Sequence, residues 1–250
     1  MKFKYLVSAF LLFVLISGCS RKAHVDSIFL SHQYLANAQP DSLLSAALKP
    51  YKAKHDSEMN EIVAFCEEPL LKGQPEGNLG NFVSDCLLER AKRYFTAEKI
   101  KIDAVLLNNG GLRVALPKGE ITKGKMFELM PFDNEMVVAE ISGAKFLEML
   151  RFVAEKGGMP VAGIRMEINS KKKPINVFVG GLPFDSTSTY HVVSSDYLIS
   201  GGDNITFFAE GKKFPSRLFI RDVLLDYCRE QTALNKSIEA KIDGRISFSK

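Results

Sequence analysis

The sequence predicts an α+β fold, a mixed β-sheet with packed helices, and three observations lead there. A helix is expected over 78–97, because Leu79, Phe82, Val83, Cys86, Leu87, Ala91, Tyr94 and Phe95 recur at steps of three and four and so share one face. The strand-like run Glu135–Ile141 passes directly into a second amphipathic stretch that starts near Ser142 and stops at Gly157-Gly158. Strands and helices alternate without a regular βαβ rhythm, which disfavours a doubly wound parallel sheet.

The first 18 of the 250 residues are set apart from this domain. Lys2 and Lys4 precede an apolar stretch, Tyr5 to Ile16, that is short for a membrane span and fits the apolar centre of a signal peptide. Leu15-Ile16-Ser17-Gly18-Cys19 resembles a bacterial lipobox, which implies cleavage before Cys19, a lipid on its thiol and a place in the bacterial cell envelope. Residues 19–40 are polar and without period, as a tether would be, and the domain is expected over 41–250. Loss of Lys2 and Lys4 lowers the formal net charge from +4 to +2, so charge gives no argument for a nucleic-acid polymer or an anionic surface as partner. With Cys19 assigned to lipid, Cys66, Cys86 and Cys228 remain. They have no CxxC spacing and lie in patterns read as helical and apolar, so core thiols are expected and one disulfide stays open.

Along the domain, Asp41 is placed to cap a short helix that Pro50 interrupts. Ile102–Leu107 reads as a buried strand capped by Asn108-Asn109-Gly110-Gly111. Ala162–Ile168 and Ile175–Val179 read as strands joined by a turn at 170–174. Tyr190–Ser194 alternates as a strand, Ser216–Gln231 reads as a helix, and Lys241–Phe248 closes as a strand-like segment.

Three turns carry side chains with chemistry to offer. In NNGGLR the glycines permit a tight turn, the Asn108 amide both donates and accepts, and Arg113 presents a fixed fork to an anion or hydroxyl. In MPFDNE, Pro131 fixes the backbone before Phe132, and Asn134 follows two residues later on the same side. In SSDYLISGGDN, Tyr197 precedes a flexible Gly201-Gly202 pair and the Asp203 carboxylate. Each alone also reads as an ordinary turn with a packed aromatic.

In order and spacing, LGNF (79–82), NNGGLR (108–113), KGEIT (118–122), MPFDN (130–134), SGAKFLEML (142–150), VAGIRMEI (161–168) and DYLISGGDN (196–204) resemble the C-terminal, substrate-binding domain of 5′-nucleotidases over about residues 41–248. The resemblance implies a base stacked between Phe132 and Tyr197, with Asn108 and Asn134 at its polar edges. It places Gly163 where it leaves room beside the base, Asp203 on the ribose hydroxyls, and Arg113 at the ribose or phosphate end. Two departures stand out: Gln74-Pro75-Glu76-Gly77 lacks the arginine that usually precedes LGN, and Asn204-Ile205 replaces a Gly-aromatic pair.

Relatives of this kind hydrolyse phosphoesters with two metals in a separate N-terminal domain. Here the only histidines are His24, His32, His55 and His191, without ligand-like spacing, and Ser194, Ser195 and His191 form no nucleophile elbow. No catalytic or metal residue and no cofactor is therefore assigned to this chain. The expected partners are a nucleoside or nucleotide, the membrane through Cys19, and a separate metallophosphatase subunit holding the divalent metals. The alternative is a non-catalytic envelope lipoprotein that kept the fold and binds another ligand or a protein.

Overall fold

A computed structural model describes residues 41–249. The signal peptide, the lipidated Cys19 and the tether, expected over 1–40, lie outside the described residues.

Helix α1, Ser42–Met59, is capped as the sequence suggested: the Asp41 carboxylate accepts from the amides of Leu43 and Leu44 at 2.9 and 3.0 Å. It is longer than expected and runs through Pro50, which deletes one helical donor but leaves the remaining ladder in place. None of its side chains is buried. None of the described helices is long and apolar enough to cross a membrane.

From Leu48, within α1, the chain forms one compact unit whose largest sheet is five-stranded and mixed. Its strands are β2 (Ala104–Leu106), β4 (Glu135–Ser142), β5 (Val161–Ala162), β9 (Thr189–Ser195) and β10 (Lys212–Phe219), in the order β10-β4-β9-β2-β5. β2 runs parallel to β9, and β4 antiparallel to it, with Met136 opposite Ser195. A two-stranded sheet pairs β1 (Ile62–Cys66) with β3 (Gly119–Thr122). A four-stranded sheet has the order β11-β6-β7-β8, made of β6 (Ile164–Ile168), β7 (Pro174–Val179), β8 (Leu182–Pro183) and β11 (Ile246–Phe248).

Both faces of the five-stranded sheet are buried, which is why its central strands are almost continuously apolar. Alternation sends Val105, Leu107, Met136, Val138 and Val193 to one face. There they meet α2 (Asn78–Tyr94), α3 (Lys123–Leu129) and α6 (Ile220–Ala233) through Phe82, Val83, Met126 and Leu224. Ala104, Leu106, Val137, Ala139 and Val192 point the other way, onto Phe146, Leu150 and Val153 of α4 (Gly143–Glu155) and Ile164 and Met166 of β6. Phe146 is fully enclosed, and such a side chain contributes about 1.5–3 kcal/mol by leaving water. Thr122 and Ser142 cap α3 and α4, accepting from the amides of Lys125 and Lys145 at 3.2 and 3.3 Å.

Several expectations are corrected. Ser216–Phe219 belong to β10, because Phe214 and Pro215 pair with Val138 and Val137, and the helix begins only at Ile220. The single strand expected over Ala162–Ile168 is two strands in different sheets, and only Ile246–Phe248 of the last segment is strand. Cys66 sits on β1 rather than in a helical pattern; it, Cys86 and Cys228 are all free and buried, so the disulfide left open is not formed.

Candidate functional site

Three turns widely separated in sequence reach one edge of the central sheet for a topological reason. Parallel neighbours β2 and β9 both end there, so Asn108–Arg113 and Tyr197–Asp203 leave from adjacent C-terminal strand ends. Antiparallel β4 begins at that edge, which places Phe132–Asn134 beside them. Crevices at carboxyl ends of parallel strands suit ligands because loops can depart there in different directions.

The result is a cavity of 340 Å³ lined by Asn108, Arg113, Phe132, Asn134, Tyr197 and Asp203, together with the backbone of Gly110 and Gly111. Its volume is in the range of small-molecule pockets. Phe132 and Tyr197 are 48% and 46% exposed, so each leaves much of its side chain open to solvent at the cavity.

Each wall is held from behind. Arg113 donates its amide to the carbonyl of Leu129 at 2.8 Å and its guanidinium to the carbonyl of Gly110 at 3.3 Å, and its charge lies 5.9 Å from the Phe132 ring centroid. Asn134 accepts at its carbonyl from the amide of Ile220, the first residue of α6, at 2.8 Å. Tyr197 lies on the short helix α5, Asp196–Ile199, capped by the Ser195 hydroxyl, which accepts from the Leu198 amide at 3.3 Å. Gly202 lies flat against the Tyr197 ring: a Cβ there would come within 2.5 Å of two ring carbons. Asp203, in the left-handed region at φ 55°, turns its carboxylate back to accept from the Tyr197 hydroxyl at 2.9 Å and the Asn108 amide at 3.1 Å.

Six of the seven residues expected at a ligand site therefore share this cavity. Gly163 does not. It is the corner between β5 and β6, where the chain leaves the five-stranded sheet for the four-stranded one, with φ 75°. A Cβ there would lie 2.2 Å from the carbonyl of Asp103, so glycine is required by backbone approach rather than by room for a ligand.

Sequence reading missed Arg221. Its side chain is buried on α6 and donates to the Asp133 carboxylate at 2.5 Å and to the carbonyls of Met130 and Phe132 at 3.3 and 3.5 Å. It also lies over the Phe127 ring at 4.1 Å. This one cation fixes the turn that presents Phe132. An arginine among apolar residues at the start of a helix gives no sign, in sequence, of which turn it will grip.

Ser194 and His191 have partners within the fold. Ser194 donates its hydroxyl to the carbonyl of Leu106 at 2.7 Å, and His191 faces Glu140 at 3.2 Å. Where a substrate arginine was missing, Glu76 is buried, accepting from the Asn81 amide at 2.6 Å and the backbone amide of Asp243 at 2.7 Å. Among the cavity-lining residues only Arg113 is cationic. Among the described residues no group of three or more His, Cys, Asp or Glu is placed to hold a metal ion.

Comparison with known proteins agrees with this architecture. A family model described as 5′-nucleotidase, C-terminal domain, matches residues 67–210. The chain is 27% identical over 220 residues to the trifunctional nucleotide phosphoesterase protein YfkN of Bacillus subtilis, covering 80% of this chain and 14% of that protein. It is also 27% identical over 201 residues to a 5′-nucleotidase of Vibrio vulnificus, covering 75% and 32%. The crystal structure of a 5′-nucleotidase precursor from Thermus thermophilus superposes with a TM-score of 0.69 at 27% identity, covering 82% of this chain and 43% of the other. The chain thus spans less than half the length of each of these relatives.

Proposed function

The chain belongs to the 5′-nucleotidase C-terminal domain family, and on that premise we propose that it is a nucleoside- or nucleotide-recognition domain that holds a base between Phe132 and Tyr197. The observation that carries this reading is the pair of half-exposed aromatics lining one cavity with Asn108, Asn134, Asp203 and Arg113. Stacking suits such a task because every base has a π-face, and each aromatic contributes about 1–3 kcal/mol. The two asparagine amides offer donors and acceptors to base edges, the acceptor-only Asp203 suits ribose hydroxyls, and the donor-only Arg113 suits a phosphate oxygen.

Hydrolysis, in this reading, is carried out by a separate metallophosphatase chain that brings its own divalent metals, while this chain positions the substrate at the bacterial envelope through a lipid on Cys19. Phosphate-bearing activities named for the relatives belong to whole proteins much longer than the matched region. With Arg113 the one cation at the cavity, the nucleoside part of a substrate contributes more to binding than its phosphate.

Titration calorimetry of the full chain with adenosine and AMP tests the reading. Binding of both in the millimolar range or tighter, with AMP favoured less than about tenfold, is expected. Absence of heat from either ligand refutes it and favours the alternative, an envelope protein that uses the same fold for a different ligand.

A further inference from the structure

We propose that the Tyr197 hydroxyl is a positioning group that makes the cavity selective for a vicinal diol, by holding Asp203 with one free acceptor site on each carboxylate oxygen; this rests on the nucleoside reading above. The hydroxyl donates to Asp203 Oδ1 at 2.9 Å and accepts from the Asp203 backbone amide at 3.2 Å, so it grips the residue at both ends. Asn108 Nδ2 donates to the other oxygen, Oδ2, at 3.1 Å. An ionised carboxylate has about four lone-pair sites, two on each oxygen. One on each is spent on a protein donor, which leaves one acceptor site on each oxygen, a number matched to the two O–H donors of a vicinal diol.

The backbone explains why a grip is needed. Gly201, at φ 97°, is followed by Asp203 and Asn204 at φ 55° and 63°, left-handed conformations that side-chain-bearing residues adopt only when held. Asp203 sits in a single 3-10 turn, Gly202–Asn204, that follows Gly201, and its side-chain link to the adjacent helix is Tyr197 itself, against whose ring Gly202 lies. Phenylalanine at 197 would retain the π-face and the packing of Gly202 and lose both contacts to Asp203. Stacking and diol recognition are thereby assigned to different atoms of one side chain.

The test compares adenosine with 2′,3′-dideoxyadenosine by calorimetry on the full chain and its Tyr197→Phe variant. Hydrogen bonds to a charged acceptor favour adenosine in the unaltered protein by about tenfold or more. Tyr197→Phe is expected to weaken adenosine by about tenfold more than dideoxyadenosine, with the thermal unfolding midpoint little moved. In an Asp203→Asn background the same substitution is expected to leave the adenosine-to-dideoxyadenosine ratio where it stands, since the group it positions is gone. Equal losses for both ligands, or an unaltered ratio in the single variant, overturn the proposal while leaving nucleoside binding intact. A wild-type chain that binds neither ligand overturns the nucleoside reading, and this inference with it.

Discussion

Asn108 donates its side-chain amide to the Asp203 carboxylate at 3.1 Å, joining the turn after β2 to the loop after α5 across 95 positions of sequence. The bond stitches two walls of the cavity together at adjacent parallel strand ends. Asn108→Ala is expected to weaken adenosine binding by about threefold to tenfold, through the lost base contact and a looser Asp203, with stability changed by less than about 1 kcal/mol because the pair is exposed. Calorimetry paired with urea unfolding checks both halves of this expectation.

The grip of Arg221 on the Met130–Asp133 turn separates support from contact. Arg221→Met removes a buried cation along with its bonds to Asp133 and two carbonyls, and is expected to cost about 1–3 kcal/mol of stability and to loosen Phe132. Arg221→Lys restores charge but not the fork, so only partial recovery of adenosine affinity is expected. Full recovery by lysine would show that charge alone holds the turn.

Gly202 and Gly163 make a paired test. Gly202→Ala drives a methyl to within 2.5 Å of the Tyr197 ring and is expected to weaken stacking by about fivefold or more. Gly163→Ala meets the Asp103 carbonyl at 2.2 Å in a left-handed backbone, and about 1–3 kcal/mol of destabilisation is expected from the conformation alone. The folded fraction should bind adenosine normally, because Gly163 does not line the cavity. Loss of affinity without loss of stability at Gly163 would restore it to the ligand site.

Six of the seven expected site residues line one cavity but were singled out through the family resemblance, each turn alone reading as ordinary. The helix beginning at Asn78 and the strand leading into the helix after Ser142 were legible from local periodicity. What joins them was not. That Ala162 and Ile164 belong to different sheets depends on partners far away, Leu106 and Val105 for β5 and Val179 for β6, so an unbroken apolar run could not reveal the corner at Gly163. β10 was hidden for a similar reason: Phe214-Pro215 looks like a breaker, yet as an edge strand it tolerates proline. Arg221 was illegible because its value comes entirely from the turn it meets in space.

Burial pushes the Cys66 thiol up to about 11 and the Cys228 thiol up to about 12, and raises Cys86 as well. These folded values exceed the unfolded value near 9, so the stabilisation is fully present below about pH 9 and is lost as pH rises toward 11–12. Urea unfolding midpoints should therefore fall progressively above pH 9. At pH 8, iodoacetamide should leave peptides containing these three cysteines unlabelled in the folded protein and label them in urea, as mass spectrometry can read directly.

The role of the two aromatics is tested most directly by adenosine titration of Phe132→Ala, Tyr197→Ala and the double variant. Each single change is expected to weaken binding by about fivefold to a hundredfold, and the double change to abolish measurable heat, with unfolding midpoints close to the unaltered chain. Retention of full adenosine affinity by the double variant would contradict a base held between Phe132 and Tyr197.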